Sequence, residues 1–477
     1  MPVIPDNHFL TDYSQKLKEL IFLSHPVNKN DEQIVSISQE ISPIDLLVFL
    51  AMLKPENQVS FYCENQRKQE AVVAIGAIKS LEVKNERGEM NGRYNRFQQC
   101  QNFIEDNQDN IAFEDNLDSQ KIPYFFSSFN FLEHSSDNYQ AFPQAKIFIP
   151  YLQLVKKANN YLVIVNTYHP KKSPELNLIK QYLKQDFSQN ILHYYHRFYH
   201  SQSTPSRYTL EQSNYHNFTD KVNHSLKAIA SDKLTKIVVA HALEIKLEEN
   251  FNIIKSLTNL RGNHPDCYIF CVGNEKEEYF LGASPERLLS IQDRQLVTDA
   301  LAGSAPRGKN DYDDSILGEN LLNSEKEKRE HQFVSDYIFE KLSIMGLSPK
   351  RASLQLLKLS NIQHLWTPIY AEIREECNPL EIIAQLHPTP AVAGIPIDIA
   401  CEEIESYENF DRSLYAAPIG WLDTNGNCEF IVGIRSALIQ GNYARLYAGA
   451  GIVAGSKPDQ ELTEIELKFQ ALLQALV

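Results

Sequence analysis

Apolar positions repeat along this chain with two periods. Phe218, Val222, Leu226 and Ile229 recur at helical spacing and predict a helix. In LTKIVVAH, Ile237 and Val239 face one way and Lys236, Val238 and Ala240 the other, the alternation of a strand. CYIFCVG, EEYFLGA and RLLSIQ read as further strands, and EFIVGIRSALI with YARLYAGA as a hairpin through QGN. Helices are expected from near Leu317 to about Met345, over PLEIIAQL, and at the C-terminal end. Before about residue 205 the chain is rich in Asn, Gln, Asp and Ser, with surface loops such as NKNDEQ and EDNQDNIAFEDNLDSQK between strand-like AVVAIGAI, KIFIPYL and NNYLVIVNTY. Paired strands among long helices imply α+β with antiparallel sheets rather than βαβ units. Length alone allows roughly three average domains, but no stretch has the composition of a linker; TPSRYTLEQS near 204–213 is the best boundary candidate.

Composition is that of an ordinary globular protein, with 43% hydrophobic and 22% charged residues among 477. The formal net charge of −15 argues against nucleic acid or an anionic membrane as partner. The 7 cysteines are odd in number and form no CxxC pair, which suggests reduced thiols. No apolar run approaches the roughly 20 residues of a membrane span. The opening MPVIPDNHFLTDYSQ lacks a basic and an apolar targeting region, so cytoplasm is the expected compartment.

Several constellations carry candidate chemistry. A lysine among β-branched residues, such as Lys236, is expensive to bury charged, which makes a neutral amine and general base available; an edge lysine reaching water is the blander alternative, favoured by spacing alone. Glu286 follows the turn of GASPERLL into an apolar strand, where a carboxyl tends to stay protonated, unless it merely pairs with Arg287 or solvent. Glu330 lies on the side of Phe333, Val334 and Tyr337, while Glu461, Glu464 and Lys468 share a face of the last helix. If the two helices meet, their carboxylates suit a hard cation such as Mg²⁺, completed by waters and an anionic substrate. The prolines of LHPTPAVAGIP either aim His387 into a site or leave it capping a helix. RLYAGAGIVAGS ends too close to the C-terminus for a dinucleotide fold; its glycines instead expose N–H groups to a carboxylate that Arg435 would grip. His193, His196 and His200 share helical spacing, but the ring-rich segment around them favours a surface helix over a metal face.

Together LTKIVVAH, FLGASPERLL, ALAGSAPRG, LLNSEKEKREHQFV, QLHPTPAVAG, ENFDRSLYAAPIGW, IVGIRSALI, LYAGAGIVAGSKP and ELTEIELK resemble the chorismate-binding enzymes over about residues 210–477. The first half is more faintly similar, through PYFFSSFNF and FPQAKIFIPYLQL. The resemblance implies a four-layer α/β/β/α fold with two large packed, mainly antiparallel sheets. Residues 1–209 would complete the sheets and 210–477 form the catalytic region of one integrated domain. Within the family the chain looks most like the isochorismate-forming members of the menaquinone/phylloquinone branch. Lys236 stands where such members place a base and ammonia-using ones a Gln, Ala302 stands where aminodeoxychorismate synthases carry a lysine, and Glu464-Ile465 replaces the commoner Glu-Thr.

By resemblance, chorismate would bind with its ring carboxylate on Mg²⁺, held by Glu330 and Glu464 with Glu461 as second choice. Lys468, Arg435, Tyr415 and the backbone of Gly449, Ala450 and Gly451 would receive the carboxylates. Gly303 and Ser304 would line the ring pocket and His387 would stand near the departing hydroxyl. Lys236 would activate water for attack at C2, and Glu286 would protonate the hydroxyl leaving C4. His241 stands where an arginine is common, and Ser127-Ser128 where Gly-Gly is frequent. Salicylate synthesis, with pyruvate elimination added, is the nearest alternative; a non-catalytic chorismate-binding regulator is the more remote one. No glutaminase partner is expected.

Overall fold

The computed structural model of the chain describes residues 33–53, 57–84, 94–113, 123–132, 140–168, 173–183, 208–212 and 215–477. His193, His196 and His200 lie outside them. Two sheets dominate. The first, of 13 strands, runs in the order Tyr208–Gln212, Lys236–Leu247, Tyr443–Val453, Ser436–Gln440, Glu278–Ser284, Tyr268–Gly273, Ser60–Asn65, Glu70–Ile75, Leu152–Lys157, Asn160–Thr167, Ile34–Glu40 and Ile111–Phe113, with Gly394–Ile395 pairing beside Lys236–Leu247. The second, of 10 strands, is centred on Ile362–Glu372, Gln295–Pro306, Arg287–Gln292, Cys428–Val432, Pro418–Leu422, Phe125–Phe129 and Ala145–Ile149. Among the described strands, only Ile34–Glu40 and Ile111–Phe113 pair in parallel. The fold is α+β, as the strand-pair pattern implied.

Helices cover the outer face of each sheet. Tyr215–Ala230, Ile253–Asn263 and Pro458–Leu476 pack on the first, and Asn95–Gln108, Asp311–Asn323, Glu325–Ile344 and Pro379–Leu386 on the second. Between the sheets, Phe61 of one meets Phe126 of the other at 4.9 Å, and both are buried. Edge-to-face or tilted ring pairs of this kind add to the area they remove from water. Each sheet is continuous across the two halves of the chain. Tyr268–Gly273 pairs with Ser60–Asn65 in the first, and Pro418–Leu422 with Phe125–Phe129 in the second.

Four local expectations change. The helix expected from Leu317 to Met345 is two, Asp311–Asn323 and Glu325–Ile344, because Ser324 is extended and its hydroxyl caps Glu327 N–H. The single strand EFIVGIRSALI is also two, Cys428–Val432 in the second sheet and Ser436–Gln440 in the first, and only the latter forms the hairpin. TPSRYTLEQS contributes Tyr208–Gln212 to the first sheet rather than a linker. Part of the loop expected at EDNQDNIAFEDNLDSQK continues the helix Asn95–Gln108, whose sparse apolar face of Phe97, Cys100 and Ile104 is buried.

Phe126→Ala should lower stability by about 3–5 kcal/mol, the range for emptying a buried aromatic position. The exposed control Tyr370→Ala should stay within about 0.5 kcal/mol. Urea unfolding midpoints check both, and equal effects would contradict the packing described.

Candidate functional site

The chain crosses between the sheets at Pro285-Glu286 and again at Gly433–Arg435. The crossings bond to each other. Val432 N–H donates to Glu286 O at 3.1 Å, Ala283 N–H to Arg435 O at 3.1 Å and Ser284 Oγ to Val432 O at 2.6 Å. A third segment joins them where Ala416 N–H donates to Gly433 O at 3.0 Å. Arg435 and Ala416 adopt φ of +49° and +61°, a region that costs energy for non-glycine residues and persists where the surroundings enforce it. Glu286, Arg435 and Ala416 therefore face one cavity, also lined by Val238, Gly303, Ser304, Glu330, Tyr415, Gly449, Gly451, Glu461, Glu464 and Lys468.

Lys236 begins the strand at the cavity's base and is fully buried. Its Nζ stands 2.9 Å from Glu330 Oε1, an ion pair not aligned as a hydrogen bond. Gly451, across from Val238 on the next strand, makes room for that pair, because a Cβ there would strike Glu330 Oε1. Glu286 is 4% exposed, and burial, with Asp299 second, pushes its carboxyl up to about 8 against the pull of Lys236 and Arg435. At neutral pH it holds a proton it can give away.

Two helices bring carboxylates to the opposite wall. Glu327 and Glu330 lie one turn apart on Glu325–Ile344, and Glu461 and Glu464 one turn apart on Pro458–Leu476. Burial and the Glu330 charge push Glu327 up to about 7. Burial likewise raises Glu461, against Lys326 at 3.3 Å. Burial disfavours the charge of Glu464 too, but Lys468 at 2.8 Å and the Ser304 hydroxyl outweigh it and hold that carboxyl below its ordinary value. Ser304 N–H donates to Glu327 Oε2 at 3.2 Å, after a β-bulge at Gly303 whose φ is +76°. Carboxylates that raise one another are a donor set a divalent cation would relieve. Among the described residues no group of three or more His, Cys, Asp or Glu side chains is placed to hold a metal ion by itself; Mg²⁺ is usually held by one or two carboxylates, with waters and substrate completing its shell.

Cationic groups gather at the other end. Arg435 donates from Nη2 to His364 Nε2 at 2.7 Å, while its Nη1 is buried with no hydrogen-bond partner among the described residues. Burial, then Arg435 and Lys468, push His364 well down, so the neutral ring accepts. Lys468 Nζ also donates to Gly449 O at 2.6 Å. Tyr415 stacks on Tyr447 at 5.1 Å and directs its hydroxyl to Gly449, where a Cβ would come within 2.9 Å of it. A carboxylate suits this end, since it would satisfy the orphaned guanidinium edge.

Three expected residues do not reach the cavity wall: Lys236 stands behind Glu330 and Gly451, and His387 and Ala450 are turned away. His387 ends the helix Pro379–Leu386, and its buried ring contacts the Ala416 carbonyl through Nε2 at 3.0 Å, so the capping alternative is the one seen and Ala416 stands between it and the cavity. Ala450 faces away from Gly449 and Gly451, because successive strand side chains alternate, and is buried in the core. Glu327, Lys326 and His364 line the cavity without having been singled out. The Glu-x-x-Glu spacing common to both helices was the signal for Glu327; His364 offered none, since only the fold sets it beside Arg435. Ala302 puts a methyl on the wall, and His241 is buried between Phe218 and Phe469.

Because the folded Glu286 carboxyl titrates above its ordinary 4.5, its protonated form favours folding. That contribution is complete below pH 4.5 and is lost as pH rises through about 8. Glu286→Gln, which stays neutral, should therefore gain stability on the unsubstituted protein between pH 5 and 9, by at most about 1.4 kcal/mol per pH unit of the window. Denaturant midpoints measure it, and parallel pH profiles would overturn the assignment.

The geometry can be set beside known proteins. The family described as chorismate binding enzyme matches residues 16–477. The isochorismate synthase MenF of Bacillus subtilis is 29% identical over 473 residues, covering 96% of this chain and 97% of that protein. A salicylate biosynthesis isochorismate synthase of Pseudomonas aeruginosa is 38% identical over 261 residues, 54% of each. The solved structure of the menaquinone-specific isochorismate synthase MenF of Escherichia coli superposes with a TM-score of 0.73 at 26% identity, over 98% of this chain and 100% of that one. Sequence, fold and cavity agree that the chain belongs to the chorismate binding enzyme family.

Proposed function

We propose that the chain is an isochorismate synthase, converting chorismate to isochorismate with Mg²⁺ for menaquinone or phylloquinone synthesis. The observation that carries the reading is one cavity lined by a protonated carboxyl, Glu286, with the buried amine of Lys236 behind its Glu330–Gly451 wall. The full-length likeness to an isochorismate synthase supports the same choice.

Glu330 and Glu464 would hold the metal, with Glu461 and Glu327 beside them. When bound, Mg²⁺ supplies positive charge that orients the ring carboxylate and offsets the crowded carboxylates. Arg435 Nη1, the Tyr415 hydroxyl, Lys468 and the strand at Gly449–Gly451 would receive the remaining carboxylate. Gly303 and Ser304 would border the ring. Lys236 would be the base, taking a proton from water as the water oxygen bonds to C2. The ring double bonds shift, the C4–O bond breaks, and Glu286 gives its proton to the departing hydroxyl. One water enters and one leaves, and proton return from Lys236 to Glu286 through solvent resets the site. One C–O bond replaces another, so the reaction should run in both directions. Free thiols at all seven cysteines fit the cytoplasm, and among the described residues no helix is long and apolar enough to cross a membrane.

Purified protein with chorismate and Mg²⁺ should accumulate isochorismate; salicylate with pyruvate, or binding without turnover, would overturn the reading. Lys236→Ala should cut kcat by about 100-fold or more, the scale of a lost general base, while chorismate still binds. Glu330→Gln should raise the Mg²⁺ concentration for half-maximal rate by at least the roughly 10-fold typical of lost outer-shell partners. An unchanged Mg²⁺ titration would remove Glu330 from the metal site.

A further inference from the structure

The strand that carries Lys236 has an interrupted outer edge. One side of Lys236–Leu247 pairs continuously with Tyr443–Val453. On the other, Gly394–Ile395 covers Lys236 and Ile237, and Tyr208–Gln212 resumes at Glu244. Between them Val238 and Ala240 turn their backbone groups outward, and among the described residues no strand meets them. Buried N–H and C=O groups left unmet are costly. Side chains complete this edge. Arg412 Nη2 donates to Val238 O at 2.8 Å and Glu408 Oε1 accepts from Ala240 N–H at 2.8 Å, while Ala393 O accepts from Val238 N–H at 2.7 Å and Lys221 Nζ donates to Ala240 O at 3.3 Å.

Glu408 and Arg412 are also bonded to each other twice, Nη2–Oε1 at 2.6 Å and Nε–Oε2 at 2.8 Å, with side chains 2% and 1% exposed. Arg412 Nη1 donates to Val392 O at 2.9 Å, and its guanidinium lies 4.3 Å over Phe131 and 5.7 Å from the Tyr415 ring. Three contacts of this pair lead to the cavity, since Val238, Val392 and Tyr415 line it, while Ala240 and Phe131 do not. A buried ion pair is seldom more stable than well-packed apolar residues in its place, so stability alone is a weak account of it. A rigid planar fork, in contrast, fixes directions.

We propose that Glu408 and Arg412 are positioning residues for the isochorismate reaction, a side-chain substitute for a missing strand segment that sets the direction of Lys236. This rests on the function proposed above. Neither residue touches substrate; they act through the backbone two and four residues beyond the base. Arg412→Lys keeps the charge but cannot reach Glu408, Val238 and Val392 together, and Glu408→Asp keeps the charge but withdraws the acceptor from Ala240.

The full chain, assayed with chorismate and Mg²⁺ beside thermal unfolding, tests the idea. Both variants should lose up to about 100-fold in kcat, the effect of a displacement near 1 Å, with KM and cooperative unfolding retained. Should Glu408→Asp fail to fold, Arg412→Lys decides alone, since it preserves the ion pair. A folded Arg412→Lys with undiminished kcat, or with only KM changed, overturns the inference while leaving the function standing. An unsubstituted protein inactive on chorismate overturns both.

Discussion

The cavity depends on a topological constraint: the chain passes between two packed sheets twice at the same level, and the passages bond to one another. Val432 N–H to Glu286 O and Ala283 N–H to Arg435 O fix them as a unit. Neither passage can continue a regular ladder, so each exposes residues to the gap between the sheets, and each places a charged group there. A carboxyl in that gap loses water and keeps its proton. A guanidinium there bonds what the fold provides, His364, and retains a donor for an incoming anion. A protonated carboxyl and an unfilled guanidinium edge thus follow from where the sheets exchange chain.

Electrostatic balance divides the cavity. Glu327, Glu330, Glu461 and Glu464 face Lys326, Lys236 and Lys468 across short distances, as Lys236–Glu330 at 2.9 Å and Lys468–Glu464 at 2.8 Å. The lysines compensate the carboxylates incompletely, which is why Glu327 rises to about 7 with Glu330 as its second cause after burial. A cation at this end lowers the repulsion, and an anion at the Arg435 end completes the hydrogen bonding. A substrate with carboxylates at separate points of a ring matches that polarity, whereas a neutral ligand would satisfy neither end.

Much of this was legible in the chain. Period-2 alternation found LTKIVVAH and its neighbours because buried strands cannot hide their pattern, and the Glu461–Glu464–Lys468 face was visible because helical spacing needs only local geometry. Breaks were less visible. Ser324 marks its break with neither proline nor glycine, and Gly433 inside EFIVGIRSALI reads as an ordinary strand glycine; what stops each element is a capping bond or a crossing to another sheet. His387 and Ala450 show the limit of motif proximity. Both sit within the stretches that form the site, yet one is turned behind Ala416 and the other onto the far face of its strand. His364 was invisible because its meaning comes wholly from a neighbour 71 positions away.

Several departures from local rules meet at the site, although others, such as the positive φ of Gln69 and Ala158, lie elsewhere. Ser413, Ala416 and Arg435 take positive φ, Gly449 and Gly451 leave a strand without side chains, and Lys236, Glu286, Glu408 and Arg412 are buried with ionisable groups. Elsewhere the sheets follow ordinary alternation with aromatic packing between them. A fold can carry such exceptions only where the surroundings over-determine them, and here each is held by another: Gly451 clears room for Glu330, Glu330 meets Lys236, and the edge beside Lys236 is completed by the Glu408–Arg412 pair. The linkage has a consequence for change. A substitution at one exception releases the constraint on the next, so effects of paired substitutions along this chain of contacts should not add. The surroundings of Lys236 are thus set by residues that no short motif around it contains, Glu330 and Gly451 beside its amine and Glu408 and Arg412 at the edge of its strand.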